Sequence, residues 1–126
     1  MDLSADMVTA AERNISEFAG RACARVGDVT HLPFADDTFD LIVTSFSLHH
    51  WDDVEAAVPE LARVLRSAGR LYVYDFQRAP FEVLDAAARE RGAFAGRPAQ
   101  HTVIRTGQLH PRRCVRHVMS ADDAQL

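Results

Sequence analysis

Residues 39–46 read Phe39-Asp40-Leu41-Ile42-Val43-Thr44-Ser45-Phe46, and this stretch decides the fold. Its aliphatic and β-branched residues stand at consecutive positions, which suits a strand buried on both faces, as in a parallel sheet. C-terminal to it, Asp52 or Asp53 caps a helix with apolar residues at Val54, Val58, Leu61 and Leu65. Pro59 sits inside that pattern and is expected to kink or restart the helix, and Gly69 to end it. Residues 70–76, with Leu71, Val73, Tyr72 and Tyr74, predict a second strand. Pro80 then opens a third helix with Phe81, Leu84 and Ala88 on one face and Gly92 as its stop. Two β-like runs, 102–106 and 114–119, are separated by Gly107 and Pro111 and predict an antiparallel hairpin. N-terminal to the decisive stretch, Ser4 caps a helix reaching about residue 18, with a stripe of Met7, Ala11, Ile15 and Phe18, closed by Gly20. Residues 23–29 predict a short strand, and Pro33, Asp36 and Asp37 the turn after it. Strands alternating with helices mean an α/β layer fold with a mostly parallel sheet.

Composition narrows the function classes. A chain of 126 residues suits one domain, and 48% hydrophobic with 25% charged residues is ordinary for a globular protein. A net charge of −4 argues against a nucleic-acid or anionic-membrane binder. All 14 basic residues are arginine, which excludes a Schiff-base lysine, a pyridoxal-phosphate lysine and a Walker-type phosphate-binding lysine. The apolar runs are too short for a transmembrane helix, and no secretory signal pattern opens the sequence. Cys23 and Cys114 lack CxxC spacing and read as small core hydrophobes of a reduced, cytoplasmic protein.

Three segments then carry a resemblance. Gly27-Asp28-Val29-Thr30-His31-Leu32-Pro33-Phe34-Ala35-Asp36-Asp37-Thr38-Phe39-Asp40-Leu41-Ile42-Val43 resembles the "GDaxxLPFxDxxFDxV" stretch of class I S-adenosylmethionine-dependent methyltransferases. Residues 44–51, Thr-Ser-Phe-Ser-Leu-His-His-Trp, resemble the "xSFxLHHw" segment that follows it, and residues 60–71 resemble the "EixRVLkPGGrl" helix and turn. Three ordered segments at consistent spacing are far more specific than one short motif. The closest subgroup is the ubiquinone/menaquinone-biosynthesis-like methyltransferases, of methyltransferase type 11.

The resemblance implies a Rossmann-like class I methyltransferase sheet, whose strand order in the family is 3-2-1-4-5-7-6. The family's first strand ends in a glycine-rich GxGxG turn, and none of the six glycines here makes a GxG. The sequence matches from the end of the second strand onward, so the implied sheet is N-terminally truncated. It lacks the first strand, the glycine-rich loop and the first helix, and ends in an antiparallel hairpin. The strands near Val26 and Val43 then either pair directly or leave unpaired edges that invite self-association. Ser67-Ala68-Gly69 stands where the family usually has Pro-Gly-Gly, and Gly69 alone is expected to keep the turn.

For the site, the resemblance implies S-adenosyl-L-methionine as cofactor. Asp2 matches the acidic residue that accepts both ribose hydroxyls; the alternative is that it caps the helix or frays. Leu3 packs on the adenine or at the helix start. Asp28 accepts from the adenine amino group, with the Val29 N–H facing a ring nitrogen, or is an Asx-turn residue. Ser45 touches the methionine part, or is a buried hydroxyl satisfied by backbone. His49 and His50 are the candidates for catalysis, as a base for a poorly acidic nucleophile. The plainer alternative, one histidine packed and one solvated, is favoured because such enzymes often manage without a dedicated base. A metal site from His49, His50, Asp52 and Asp53 is disfavoured, since adjacent residues on one turn point in different directions. Trp51 with Tyr72 and Tyr74 lines an acceptor pocket or packs in the core, the core being preferred for the tyrosines. Arg97, Arg105, Arg112, Arg113 and Arg116 form a mild basic cluster, read mainly as solvated strand faces.

Two functions follow. One is a methyltransferase, transferring methyl by in-line displacement to a small-molecule acceptor, working within a longer chain. The other is a non-catalytic remnant or interaction module without tight cofactor binding.

Overall fold

The aliphatic run forms β1 (Phe39–Ser45) in a computed structural model that describes residues 1–94, 98–105 and 113–121. Before it come α1 (Ala5–Asn14) and a short 3₁₀ turn at Ser16–Phe18. After it come a 3₁₀ turn at Leu48–His50, α2 (Val54–Val64), β2 (Leu65–Phe76), α3 (Phe81–Arg91), β3 (Gln100–Ile104) and β4 (Cys114–Ser120). The sheet order is β1-β2-β4-β3, with β1 and β2 parallel and the β2–β4 and β4–β3 pairs antiparallel. That order is the 4-5-7-6 half of the sheet that the resemblance implies, with the expected hairpin at its edge. Gly107 and Pro111, placed between the hairpin strands, lie outside the described residues, as do Arg97 and Arg112 of the basic cluster.

The core forms where the helical stripes meet one face of the sheet. Val54, Val58 and Leu61 of α2 and Phe81, Leu84 and Ala88 of α3 pack with Leu71 and Val73 of β2 and Val115 of β4. Each large aliphatic or aromatic side chain so buried contributes roughly 1.5–3 kcal/mol. Asp53 is the cap of α2, its carboxylate accepting from Ala56 N–H at 2.9 Å. Gly92 closes α3 in the left-handed conformation at φ +60°. α2 runs continuously through Pro59 and does not restart there. A proline there removes the N–H that would bond the Glu55 carbonyl, and Glu55 is exposed.

Several other expectations are corrected. β2 starts at Leu65, so Gly69 lies within the strand and does not end a helix. The β1–β2 register slips between Phe39↔Leu65 and Leu41↔Arg70, which places residues 66–69 in a bulge. Within it the left-handed residue is Ala68 at φ +62°, so Gly69 does not keep the turn alone. Gly69 is needed for space: a Cβ there lies 2.8 Å from the Arg66 carbonyl oxygen. Ala68→Gly is therefore expected to stabilise the fold. Relief of about 1–2 kcal/mol of left-handed strain exceeds the roughly 0.5–1 kcal/mol entropy cost of glycine. A higher urea midpoint at unchanged slope is the measurement.

Residues 23–29 form no strand. Val26 makes a single parallel bridge to Asp2, with Asp2 N–H bonded to the Arg25 carbonyl at 3.1 Å and Gly27 N–H to the Asp2 carbonyl at 2.9 Å. One residue of partner cannot sustain a ladder. Val26 does not pair with β1, and among the described residues no strand lies beyond β1. Leu41 and Val43 are 54% and 57% exposed, so one face of β1 is open and the other, with Ile42 and Thr44, is half-buried. They share an open groove of about 500 Å³ with Tyr72 and Tyr74, which are half-buried and lie outside the core. The α1 stripe stands mostly open: Met7 and Phe18 are exposed and Val8 is the buried residue of α1. Cys23 is exposed and Cys114 buried, so only the second behaves as a core residue. Among the described residues no helix is long and apolar enough to cross a membrane.

Candidate functional site

Ligands in open α/β sheets sit beyond the carboxyl ends of the parallel strands. Here those ends lie side by side: Ser45 of β1 is in register with Tyr74 of β2, and Phe46 N–H donates to the Tyr74 carbonyl at 2.7 Å. Ser45 is exposed, so its hydroxyl is not the buried, backbone-satisfied group of the alternative reading. Phe46 takes φ +53°, a costly conformation for a bulky residue and one that concentrates at functional sites. It turns the chain into the Leu48–His50 segment, which fully buried Leu48 anchors. Trp51 Nε1–H donates to Ser47 Oγ at 2.8 Å and fixes the far end of the turn.

The turn brings His49 onto Asp75. Nδ1 of His49 lies 2.8 Å from Asp75 Oδ1, and the His49 backbone N–H donates to Asp75 Oδ2 at 3.2 Å. Asp75 is completely buried, and Phe76 N–H donates to its Oδ1 at 2.7 Å. The His49 ring lies 5.4 Å from the Phe76 ring and 3.9 Å from that of His50, centroid to centroid. His50 is exposed. Both histidines are exposed, and they differ in their bonding: His49 is gripped by a buried carboxylate, while the His50 ring has no hydrogen bond among the described residues. Asp75 was missed in the sequence, although an acidic residue at the carboxyl end of the 70–76 strand is a signal of its kind.

The cofactor candidates form a second group. Asp28 Oδ1 accepts from both the backbone N–H and the hydroxyl of Thr30, each at 2.8 Å, an Asx turn. Those two bonds hold its carboxyl below the usual carboxylate range. Asp2 Oδ1 accepts from Ser4 N–H at 2.8 Å, while Ser4 caps α1 through Met7 N–H. Leu3 is 70% exposed, so helix-start packing does not account for it. Val29 is half-buried beside the core. The Asp2–Val26 bridge brings Asp2 alongside the Gly27–Asp28 segment. Among the described residues no hydrogen bond joins this group to Ser45, His49 or His50.

A clamp holds the loop between the two groups. Arg63 donates to the carbonyls of Phe34 at 2.8 Å and Leu32 at 3.1 Å and to Asp36 Oδ1 at 2.8 Å, and it pairs with both oxygens of Glu60. Glu60 Oε2 also accepts from Leu32 N–H at 2.7 Å. The Arg63 fork is the main reason the Glu60 carboxyl is lowered to about 2. The same bonds raise the guanidinium further. Glu60 and Arg63 are the E and R of the motif at 60–71, so the sequence marked them, but not the loop they fasten. A third polar cluster left no legible signal. Buried His117 on β4 lies 2.8 Å from Asp85 of α3 through Nε2 and 3.0 Å from His101 of β3, Nδ1 to Nδ1. It ties the edge hairpin to α3.

Comparison with known proteins bears on the family and the fold. The family described as methyltransferase domain matches residues 1–73, more than half of the chain. The chain is 48% identical over 59 residues to a demethylmenaquinone methyltransferase of Thermobifida fusca (strain YX), covering 47% of this chain and 25% of that protein. It is 46% identical over 71 residues to one of Mycolicibacterium paratuberculosis, covering 53% and 31%. The chain thus spans about a quarter to a third of the length of these relatives. The crystal structure of a SAM dependent methyltransferase from Aquifex aeolicus superposes with a TM-score of 0.70 at 17% identity, covering 94% of this chain and 65% of that one. At that identity the likeness shows the fold alone. With the motif segments, the sheet order and the family match in agreement, the chain belongs to the methyltransferase domain family and carries its class I, Rossmann-like sheet.

Proposed function

We propose that this chain is the acceptor-side part of an S-adenosylmethionine-dependent methyltransferase acting on a small molecule. The observation that carries the reading is the pairing of an exposed Ser45 with a carboxylate-held His49 at the carboxyl ends of β1 and β2. The residues fit one half of the cofactor. Asp28 and Asp2 offer exposed carboxylates for hydroxyl or amino donors, with Val29 N–H and Leu3 beside them. For the methionine half the chain offers Ser45 but no GxG turn. When bound, the cofactor supplies an electrophilic methyl group on a sulfonium. The protein's part is then to align the acceptor for in-line displacement, to keep water away and to receive a proton where the acceptor carries one.

The similarity to demethylmenaquinone methyltransferases points to a demethylmenaquinone-like naphthoquinol as the first acceptor to try. A cytoplasmic setting belongs to the same reading, supported by the free, exposed thiol of Cys23. The second reading, a non-catalytic module, is favoured by the absence of GxG and by the Oδ1 atoms of Asp2 and Asp28 being engaged in local turns. Calorimetry separates affinity from ancestry. The 126-residue chain is expected to bind S-adenosylmethionine weakly or not at all, and a micromolar Kd overturns that expectation. Transfer of labelled methyl to the naphthoquinol supports the enzyme reading; its absence at saturating cofactor supports the module.

A further inference from the structure

We propose that Asp75 is the positioning residue of a proton-accepting dyad with His49, and that the acceptor at this site carries a proton on the atom that becomes methylated. The inference rests on the methyltransferase reading above. A fully buried carboxylate is costly unless hydrogen-bonded. The hydrogen bonds to Asp75 come from His49, through ring and backbone, and from the adjacent Phe76. An ionised carboxylate only accepts, so His49 presents Nδ1–H to it, and neutral His49 carries its free lone pair on Nε2. The second bond, through the His49 backbone N–H, fixes where the ring begins, and the Phe76 and His50 rings flank it. A histidine kept only for packing needs no such two-point grip on a buried charge. The ring of His50 has no hydrogen bond among the described residues, so the geometry selects His49 of the pair.

The chemistry balances as follows. The lone pair of the acceptor atom attacks the methyl carbon, and the new bond forms as the methyl–sulfur bond breaks, its electron pair going to sulfur. The proton on the attacking atom passes to Nε2 of His49. The positive charge lost from the sulfonium reappears on the imidazolium, beside the Asp75 carboxylate, until the proton leaves to water. Hydroxyl, N–H and activated C–H acceptors use this step. A tertiary amine or a thioether has no proton to give and gains nothing from the dyad.

Long-range proton–nitrogen correlation spectra of the labelled chain are expected to show neutral His49 as the Nδ1–H tautomer; the Nε2–H tautomer overturns the proposal. Where the unaltered chain methylates 1,4-naphthoquinol from S-adenosylmethionine, Asp75→Asn is expected to lower kcat roughly 10²-fold while both KM values stay within about twofold. His49→Gln should match it, and the double variant should be no worse than either, because the pair acts as one unit. Unchanged kcat in Asp75→Asn, or losses that add in the double variant, overturns the dyad. Absence of methyl transfer by the unaltered chain counts against the methyltransferase reading, and the tautomer still decides the dyad.

Discussion

Glu60→Ala is expected to destabilise the fold by about 2 kcal/mol, the cost of leaving a buried N–H without its acceptor. That N–H is Leu32's, which donates to Glu60 Oε2 at 2.7 Å, and the Arg63 guanidinium loses its carboxylate in the same change. In a domain of this size the loss lowers Tm by roughly 8 °C in calorimetry. The effect carries a pH signature. The Glu60 carboxyl is lowered from 4.5 to about 2 in the folded chain, so its contribution is full above pH 4.5 and is lost as pH falls towards 2. A shift of that size corresponds to about 3 kcal/mol when unscreened, and partial exposure of both partners reduces it to roughly 1–2 kcal/mol. Glu60→Gln should flatten most of the acid slope of stability. Asp28, lowered in the same direction by Thr30, retains a residual slope. A Glu60→Gln curve that follows the parent between pH 4.5 and 2 removes the clamp as the cause.

Gly69→Ala is expected to cost about 3 kcal/mol, at the upper end for overpacking, because the obstacle is backbone. The new Cβ meets the Arg66 carbonyl oxygen at 2.8 Å and Leu65 Cδ2 at 2.9 Å, with the Asp40 carbonyl at 3.3 Å behind them. The bulge cannot open without straining the ladder to β1, to which Arg66 is also tied through Asp40 and the Asp37 carbonyl. Urea unfolding should show a lower midpoint at unchanged slope. The adjacent Ala68→Gly moves the midpoint the other way, so one experiment reads opposite signs at neighbouring positions. A neutral Gly69→Ala is incompatible with the close approach at this turn.

Where the sequence was read well, the signal was local. The helical stripes of α2 and α3, the Asp53 cap and the Gly92 stop depend on residues three or four apart and on one backbone conformation. The expectations that missed needed a neighbour. Residues 39–45 carry apolar side chains on both faces, yet only one is covered, because no described strand lies beyond β1. Residues 23–29 have strand composition, but a strand exists only where a partner runs beside it, and Asp2 supplies one residue. Pro59 reads as a kink or a restart from local propensity, yet the packed helix continues through it.

The site divides the same way. The motif at 27–43, the His pair and the 60–71 segment were written in the sequence, and with them the family. Tertiary structure alone decided which histidine is held. Asp75 stands 26 residues from His49, and only the parallel alignment of β1 with β2 brings the buried carboxylate under the turn that follows β1. Likewise Arg63 reaches the carbonyls of Leu32 and Phe34 across 31 and 29 residues. Residue type and spacing along the chain set local conformation and ancestry. Hydrogen bonds between distant segments depend on sheet register, which a linear pattern does not encode.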